Sequence, residues 1–172
     1  EKFYYNNRMK NFPIIIPIFP LSGVIYFPKT NLPLNIFEER YLSLVNDTYK
    51  RDKLMGMVQS QRTGNKIYNV GCLGKISDFQ KSEDGRILIN LTGITRFKIL
   101  HEVENKKLYR EFKVDYKDFN EDNIETNNLI DTKPLMDGAK KFFEKNGLLL
   151  NWKEFEKLDQ SQRINTLAMI AP

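Results

Sequence analysis

The sequence predicts an α+β fold: a small, nearly closed β-barrel with one inserted helix, followed by a C-terminal helical bundle. Three observations predict it. About six short strand-like runs, separated by turn residues, fill most of residues 1–120. One segment among them, residues 37–52, switches to a helical period. From Asn120-Glu-Asp-Asn123 onward the apolar spacing is helical throughout. With 172 residues the chain is one large domain or two small ones. The expected division is a barrel over 1–120 and a helical subdomain over 121–172, truncated at its C-terminal end.

The elements follow in order. Ile14 to Phe19 is an apolar run between Pro13 and Pro20, a buried strand ended by proline. Pro17, Pro20, Pro28 and Pro33 then impose extended backbone and turns, because proline fixes φ and keeps its predecessor out of the α region. Gly23 sits where a turn needs positive φ. Phe37, Tyr41, Leu44, Val45 and Thr48 share one helical face, with Glu38 and Glu39 at the start and Lys50, Arg51 and Lys53 at the end, in accord with the macrodipole. Leu54–Gln61 and Tyr68–Phe79 read as strands joined by the loop Arg62–Asn65. Asp84-Gly85 marks a hairpin between Ile76–Gln80 and Ile87–Leu91. A last strand, Leu108 to Tyr116, faces Arg96–Glu104 across Asn105-Lys-Lys, with Leu108 inward and Tyr109 and Glu111 outward.

In the helical part, Leu135, Met136, Ala139, Phe142 and Phe143 form a stripe that opens on Pro134 and stops at Asn146-Gly147. Asn151 with Glu154, and Asp159 with Gln162, have capping-box spacing. The final helix carries Ile164, Leu167, Ala168 and Ile170.

Composition excludes several classes. Hydrophobic residues make up 41% and charged residues 28%, as in globular proteins, so collagen, coiled coil and wholesale disorder are out. No apolar run approaches the ~18 residues of a membrane helix. A single Cys, Cys72, forms no internal disulfide, and the start EKFYYNNRMKNF lacks a secretory leader, so a cytoplasmic setting is expected. The net charge of +5 is uneven: residues 1–120 carry +7 and residues 121–172 carry −2. The basic part either is a solvated surface or touches phosphates.

Tests for catalysis fail one by one. Gly71-Cys-Leu-Gly74-Lys75 has two residues between its glycines where a phosphate loop needs four, and Ile76 stands where Ser or Thr would hold magnesium. Cys72 lies among apolar neighbours and reads as a small buried hydrophobe. His101 next to Glu102 has no nucleophile nearby, so it reads as a surface histidine. No metal site, cofactor or catalytic residue is expected. Glu38 and Arg96, each flanked by apolar residues, are expected to form a structural ion pair tying the helix to the barrel.

Ordered blocks across residues 13–172 carry a family resemblance. Pro17-Ile-Phe-Pro20-Leu21-Ser-Gly23-Val24, Phe27-Pro28 and Leu32-Pro33-Leu34-Asn-Ile36-Phe37-Glu38-Glu-Arg40-Tyr41 resemble the opening signature of the Lon protease N-terminal domain. Val70–Ile76 and Leu91–Ile99 resemble its later strand blocks, and Asn151-Trp152 with Leu167-Ala168-Met169 and Pro172 its helical part. The resemblance implies a PUA-like barrel, named after pseudouridine synthase and archaeosine transglycosylase, followed by a helical bundle. It implies recognition of unfolded or tagged polypeptides without catalysis, since the ATPase and Ser-Lys peptidase motifs of Lon do not occur in this sequence. A stand-alone bacterial Lon-domain protein and an excised Lon fragment both fit.

A binding module must use surface. Tyr26 and Phe27, between Gly23 and Pro28, and Leu148, Leu149 and Leu150, after Gly147, place large apolar groups near turns. They either cap the core or form the polypeptide-binding patch. The expected partners are unfolded or tagged polypeptides, a further copy of the chain or a Lon-like protease. Membrane is not expected, and nucleic acid is disfavoured. The alternative, an RNA-binding PUA-like barrel, has the +7 in its favour and the scatter of mostly lysine charge against it.

Overall fold

The computed structural model describes residues 12–61, 66–123 and 131–170. The expected loop Arg62–Asn65 and Pro172 lie outside them. The chain divides into two compact units, Glu1–Asn123 and Ile124–Pro172.

The first unit holds strands β1 (Ile15–Leu21), β2 (Asn31–Ile36), β3 (Leu54–Ser60), β4 (Ile67–Lys81), β5 (Ile87–Val103) and β6 (Glu111–Asp115), with helix α1 (Glu39–Lys50) after β2 and a short 3-10 segment, Lys117–Asn123, after β6. The strands form a mixed six-stranded sheet in the order β2-β5-β4-β3-β1-β6, and β5 also pairs with β6. Pairings therefore run from β5 through β4, β3, β1 and β6 back to β5. The ring is not a clean barrel. Its β1–β3 pair is parallel, with Ile18 opposite Gly56, and β2 hangs on β5 outside it.

Residue pattern explains the parts. β5 alternates strictly at its start, with Ile87, Ile89, Leu91 and Phe97 buried and Leu88 and Lys98 exposed, so one face feeds the core. β1 is buried continuously from Ile16 to Phe19, as a strand with a parallel neighbour is. Pro33 is tolerated because β2 is an outer strand with one partner. The core cluster joins Ile16, Ile18, Val58, Leu73, Phe97, Phe112 and Val114. The Asp84-Gly85 hairpin forms as expected: Gly85 takes φ 87° and the Asp84 carboxylate accepts from the Arg86 N–H at 3.2 Å.

Two expected boundaries move. Helix α1 buries Tyr41, Leu44, Val45 and Thr48, but Phe37 is 67% exposed, because Glu38 is still extended and the helical face begins after it. The last strand starts at Glu111, so Leu108 belongs to a loop and is 61% exposed, whereas Tyr109 and Glu111 are buried. Here Asn105 accepts from the Lys107 N–H at 2.8 Å, and this side-chain turn sets the loop's course. Glu111 is buried with a partner, the Lys107 ammonium at 2.6 Å.

The second unit contains α2 (Lys133–Lys145), α3 (Trp152–Phe155) and α4 (Gln160–Ile170). Its buried cluster is Phe143, Phe155 and Leu167, flanked by half-buried Met136, Ala139, Leu148, Leu150, Trp152 and Leu158. Both capping expectations appear as hydrogen bonds. Asn151 accepts from Glu154 N–H at 3.2 Å, and Asp159 and Gln162 satisfy each other's N–H groups at 2.8 and 3.0 Å. Gly147 ends α2 with φ 64°.

Candidate functional site

The first unit carries a groove of about 660 Å³ between the end of β1, the start of α1 and the β5–β6 loop. Its lining includes Ile18, Phe19, Arg40, Tyr41, Leu108 and Arg110, with Ile67 and Ser60 at the β3–β4 end. Each wall has a sequence reason. β1 runs into the bend Ser22-Gly23 and leaves Phe19 to Leu21 against the opening. The first helical turn places Tyr41 inward, with its ring 4.2 Å from that of Phe19. The loop after β5 ends in Tyr109, whose hydroxyl donates to Asp47 at 2.9 Å and is thereby fixed.

The charges in the groove are neutralised locally. The Arg40 guanidinium lies 4.5 Å above the Tyr41 ring and donates to Glu38 at 3.0 Å. Arg110 lies 4.8 Å above the Phe112 ring and donates twice to Glu102, at 2.8 and 2.6 Å. Burial raises the phenol pKa of Tyr41, a change that Arg40 opposes and Glu38 reinforces. Burial, followed by the hydrogen bond to Asp47, raises that of Tyr109. Both phenols stay protonated and neutral at neutral pH, so the groove presents aromatic faces and compensated ion pairs rather than a proton-transfer pair.

The residues expected from sequence to bind polypeptide lie elsewhere. Tyr26 is 8% exposed and its hydroxyl donates to the Leu91 carbonyl at 2.8 Å, so it is a core residue. Phe27 is half-buried, and its carbonyl accepts from the Thr30 hydroxyl at 2.6 Å in the turn before β2. Leu148 and Leu150 pack on the helical cluster, while Leu149 is 99% exposed. The expected Glu38–Arg96 pair is corrected. Glu38 is taken by Arg40 two residues away. Arg96 pairs with Asp122, whose side chain is 7% exposed and accepts from the Arg96 backbone N–H at 2.8 Å and the guanidinium at 2.6 Å. The 3-10 segment after β6 delivers that carboxylate to β5, a placement invisible in a local reading.

Cys72 is buried in β4, and burial raises its thiol pKa, which keeps it protonated and unreactive. His101 is exposed on β5. Among the described residues no group of three or more His, Cys, Asp or Glu side chains could hold a metal ion. No described helix is long and apolar enough to cross a membrane.

Against this geometry, the family model of the ATP-dependent protease La (LON) substrate-binding domain matches residues 15–171. The chain belongs to the Lon substrate-binding domain family. Among curated proteins, the Lon protease of Cytophaga hutchinsonii is 29% identical over 103 residues, covering 56% of this chain and 13% of that protein. The Lon protease of Dictyoglomus thermophilum is 25% identical over 109 residues, covering 60% and 14%. The chain thus spans a small part of the length of these relatives, and the matched family is the substrate-binding domain, not the protease or ATPase part. Among solved structures, a Lon N-terminal domain protein from Xanthomonas campestris superposes with a TM-score of 0.53 at 22% identity, covering 76% of this chain and 72% of that one. The N-terminal domain of the Mycobacterium avium complex Lon protease gives 0.59 at 14% identity, covering 91% and 83%. These likenesses establish the mixed α+β fold with its six-stranded sheet.

Proposed function

We propose that the chain is a non-catalytic polypeptide-recognition module and that extended segments of unfolded or tagged polypeptides lie in the groove of the first unit. The carrying observation is the lining: aromatic and aliphatic side chains, Phe19, Tyr41 and Leu108 among them, beside two arginines that already have carboxylate partners. Such a surface gains free energy by covering apolar side chains and has little to offer a polyanion. Leu108, exposed on the rim, and Leu149, exposed in the helical unit, are apolar groups available to a ligand. In this reading the ring of strands is a PUA-like barrel, the helices are its C-terminal bundle, and the module works in the cytoplasm. It presents substrate to a Lon-like protease or to further copies of itself.

The test is binding of a reduced, carboxymethylated model protein, followed by fluorescence anisotropy. Leu108→Ser lies in a loop, so far-UV dichroism stays unchanged while affinity falls about tenfold, the size of one interface anchor. Unchanged affinity removes the groove from the proposal. Salt separates the RNA-binding alternative: affinity for a polyanion falls steeply as salt rises, whereas apolar capture of an unfolded chain does not.

A further inference from the structure

The helical unit contains an unsatisfied donor that the polypeptide groove does not explain. Arg163, on α4, buries its Nε with no hydrogen-bond partner. Among the described residues its guanidinium takes part in no ion pair or side-chain hydrogen bond. A buried polar group left unpaired has lost its water without gaining a partner, so it calls for a ligand or an ordered water. Arg163 lines a cavity of about 420 Å³ in this unit, within the rough 300–1,000 Å³ range of small-ligand sites.

The rest of the lining selects the ligand. Trp152, Phe155 and Met136 supply an apolar wall, and the Lys140 ammonium lies 5.7 Å above the Trp152 ring. Three carboxylates, Asp131, Asp137 and Glu156, share the lining with Lys133, Lys140 and Arg163, so the formal charge cancels. Asp131 is committed to the Lys133 N–H at 3.0 Å, in the first turn of α2, while Asp137 and Glu156 are exposed. A phosphate or a nucleic acid would bring several negative charges against those carboxylates. A single carboxylate brings one, and the planar guanidinium fork matches it.

We infer that this cavity is a second binding site, taking one carboxylate joined to an apolar group, as in an apolar amino acid or the C-terminal residue of a polypeptide. This goes beyond groove binding, and either can fail alone. Trp152 is the only tryptophan in the chain, so its emission reports the site directly. N-acetyl-leucine titrated into the full chain gives a saturable change in emission, and N-acetyl-leucinamide does not. Arg163→Gln weakens the response at least tenfold with far-UV dichroism unchanged. An N-acetylated octapeptide ending in leucine carboxylate, run beside N-acetyl-leucine, tells a chain terminus from a free small acid. Equal responses to acid and amide, or no saturable response to about 10 mM, overturn the inference. Full retention of affinity in Arg163→Gln does the same. Should that variant fail to fold, the acid–amide contrast in the unaltered chain decides.

Discussion

The sheet unit draws its buried cluster from five strands, β1, β3, β4, β5 and β6, through Ile16, Ile18, Val58, Leu73, Phe97, Phe112 and Val114. Among its described residues the helical unit buries only Phe143, Phe155 and Leu167, and completes the cluster with half-exposed residues such as Met136 and Trp152. In the first unit, order comes from register: side chains distant in sequence meet because paired strands hold them. In the second, order comes largely from local devices, caps and ring edges within a few residues of each other, such as Trp152 against Phe155 with centroids 5.5 Å apart. A tight core tolerates little added volume, whereas a thin one is sensitive to local propensity.

One substitution made in both units tests this most strongly. Gly93 on β5 donates to the Thr30 carbonyl at 2.8 Å and accepts from the Lys29 N–H at 3.0 Å, so a loop backbone lies flat on it. A Cβ there would collide with the Phe27 carbonyl oxygen. Gly93→Ala is expected to cost about 3 kcal/mol or more, read from urea unfolding followed by far-UV dichroism. Gly138, on the exposed side of α2, has no atom within 4 Å of its Cβ position. Gly138→Ala is expected to stabilise by about 1 kcal/mol, read from the unfolding of the helical unit through Trp152 emission. The same sign in both variants would break the contrast.

The same contrast governs what the sequence made legible. The Asp159–Gln162 box was readable because its hydrogen bonds span three residues and follow from side-chain reach alone. The hairpin at Gly85 was readable for the same reason. Arg96 was not, since its partner Asp122 is 26 residues away and looks like any surface aspartate in Asn120-Glu-Asp-Asn123. Tyr26 looked available next to proline and glycine, yet its acceptor is a carbonyl 65 residues along the chain. The groove was missed because Phe19 lies on β1, Tyr41 on α1 and Arg110 in the loop before β6. A faint signal existed in the adjacent Arg40-Tyr41 and Tyr109-Arg110 pairs, but only the closure of β6 on both β1 and β5 brings them together.

A smaller effect is expected where the helical unit relies on a cap. Asp159→Ala removes the acceptor for the Gln162 N–H at the start of α4 and leaves Gln162 with one half of the box. The loss is about 1 kcal/mol, again reported by Trp152. Ser restores most of it, because its hydroxyl accepts the same bond. A loss that Ser fails to rescue would mean that Asp159 acts by charge and not as a cap.

The smallest effect belongs to the sheet surface beside the groove. The Arg110 guanidinium, hydrogen-bonded to Glu102, holds its carboxyl below the usual 4.5. A carboxylate with a depressed folded pKa contributes stability that is complete above its unfolded value and is lost as pH falls through the folded one. The contribution of this pair is therefore present at neutral pH and disappears in the acid limb, below about pH 4.5. With the Glu102 side chain 46% exposed, solvent screening limits it to less than about 1 kcal/mol. Glu102→Gln is expected to lower the urea midpoint slightly at pH 7, with the deficit shrinking as pH falls through the acid limb. A deficit that persists undiminished at the acid end would assign the loss to packing against Arg110 rather than to charge.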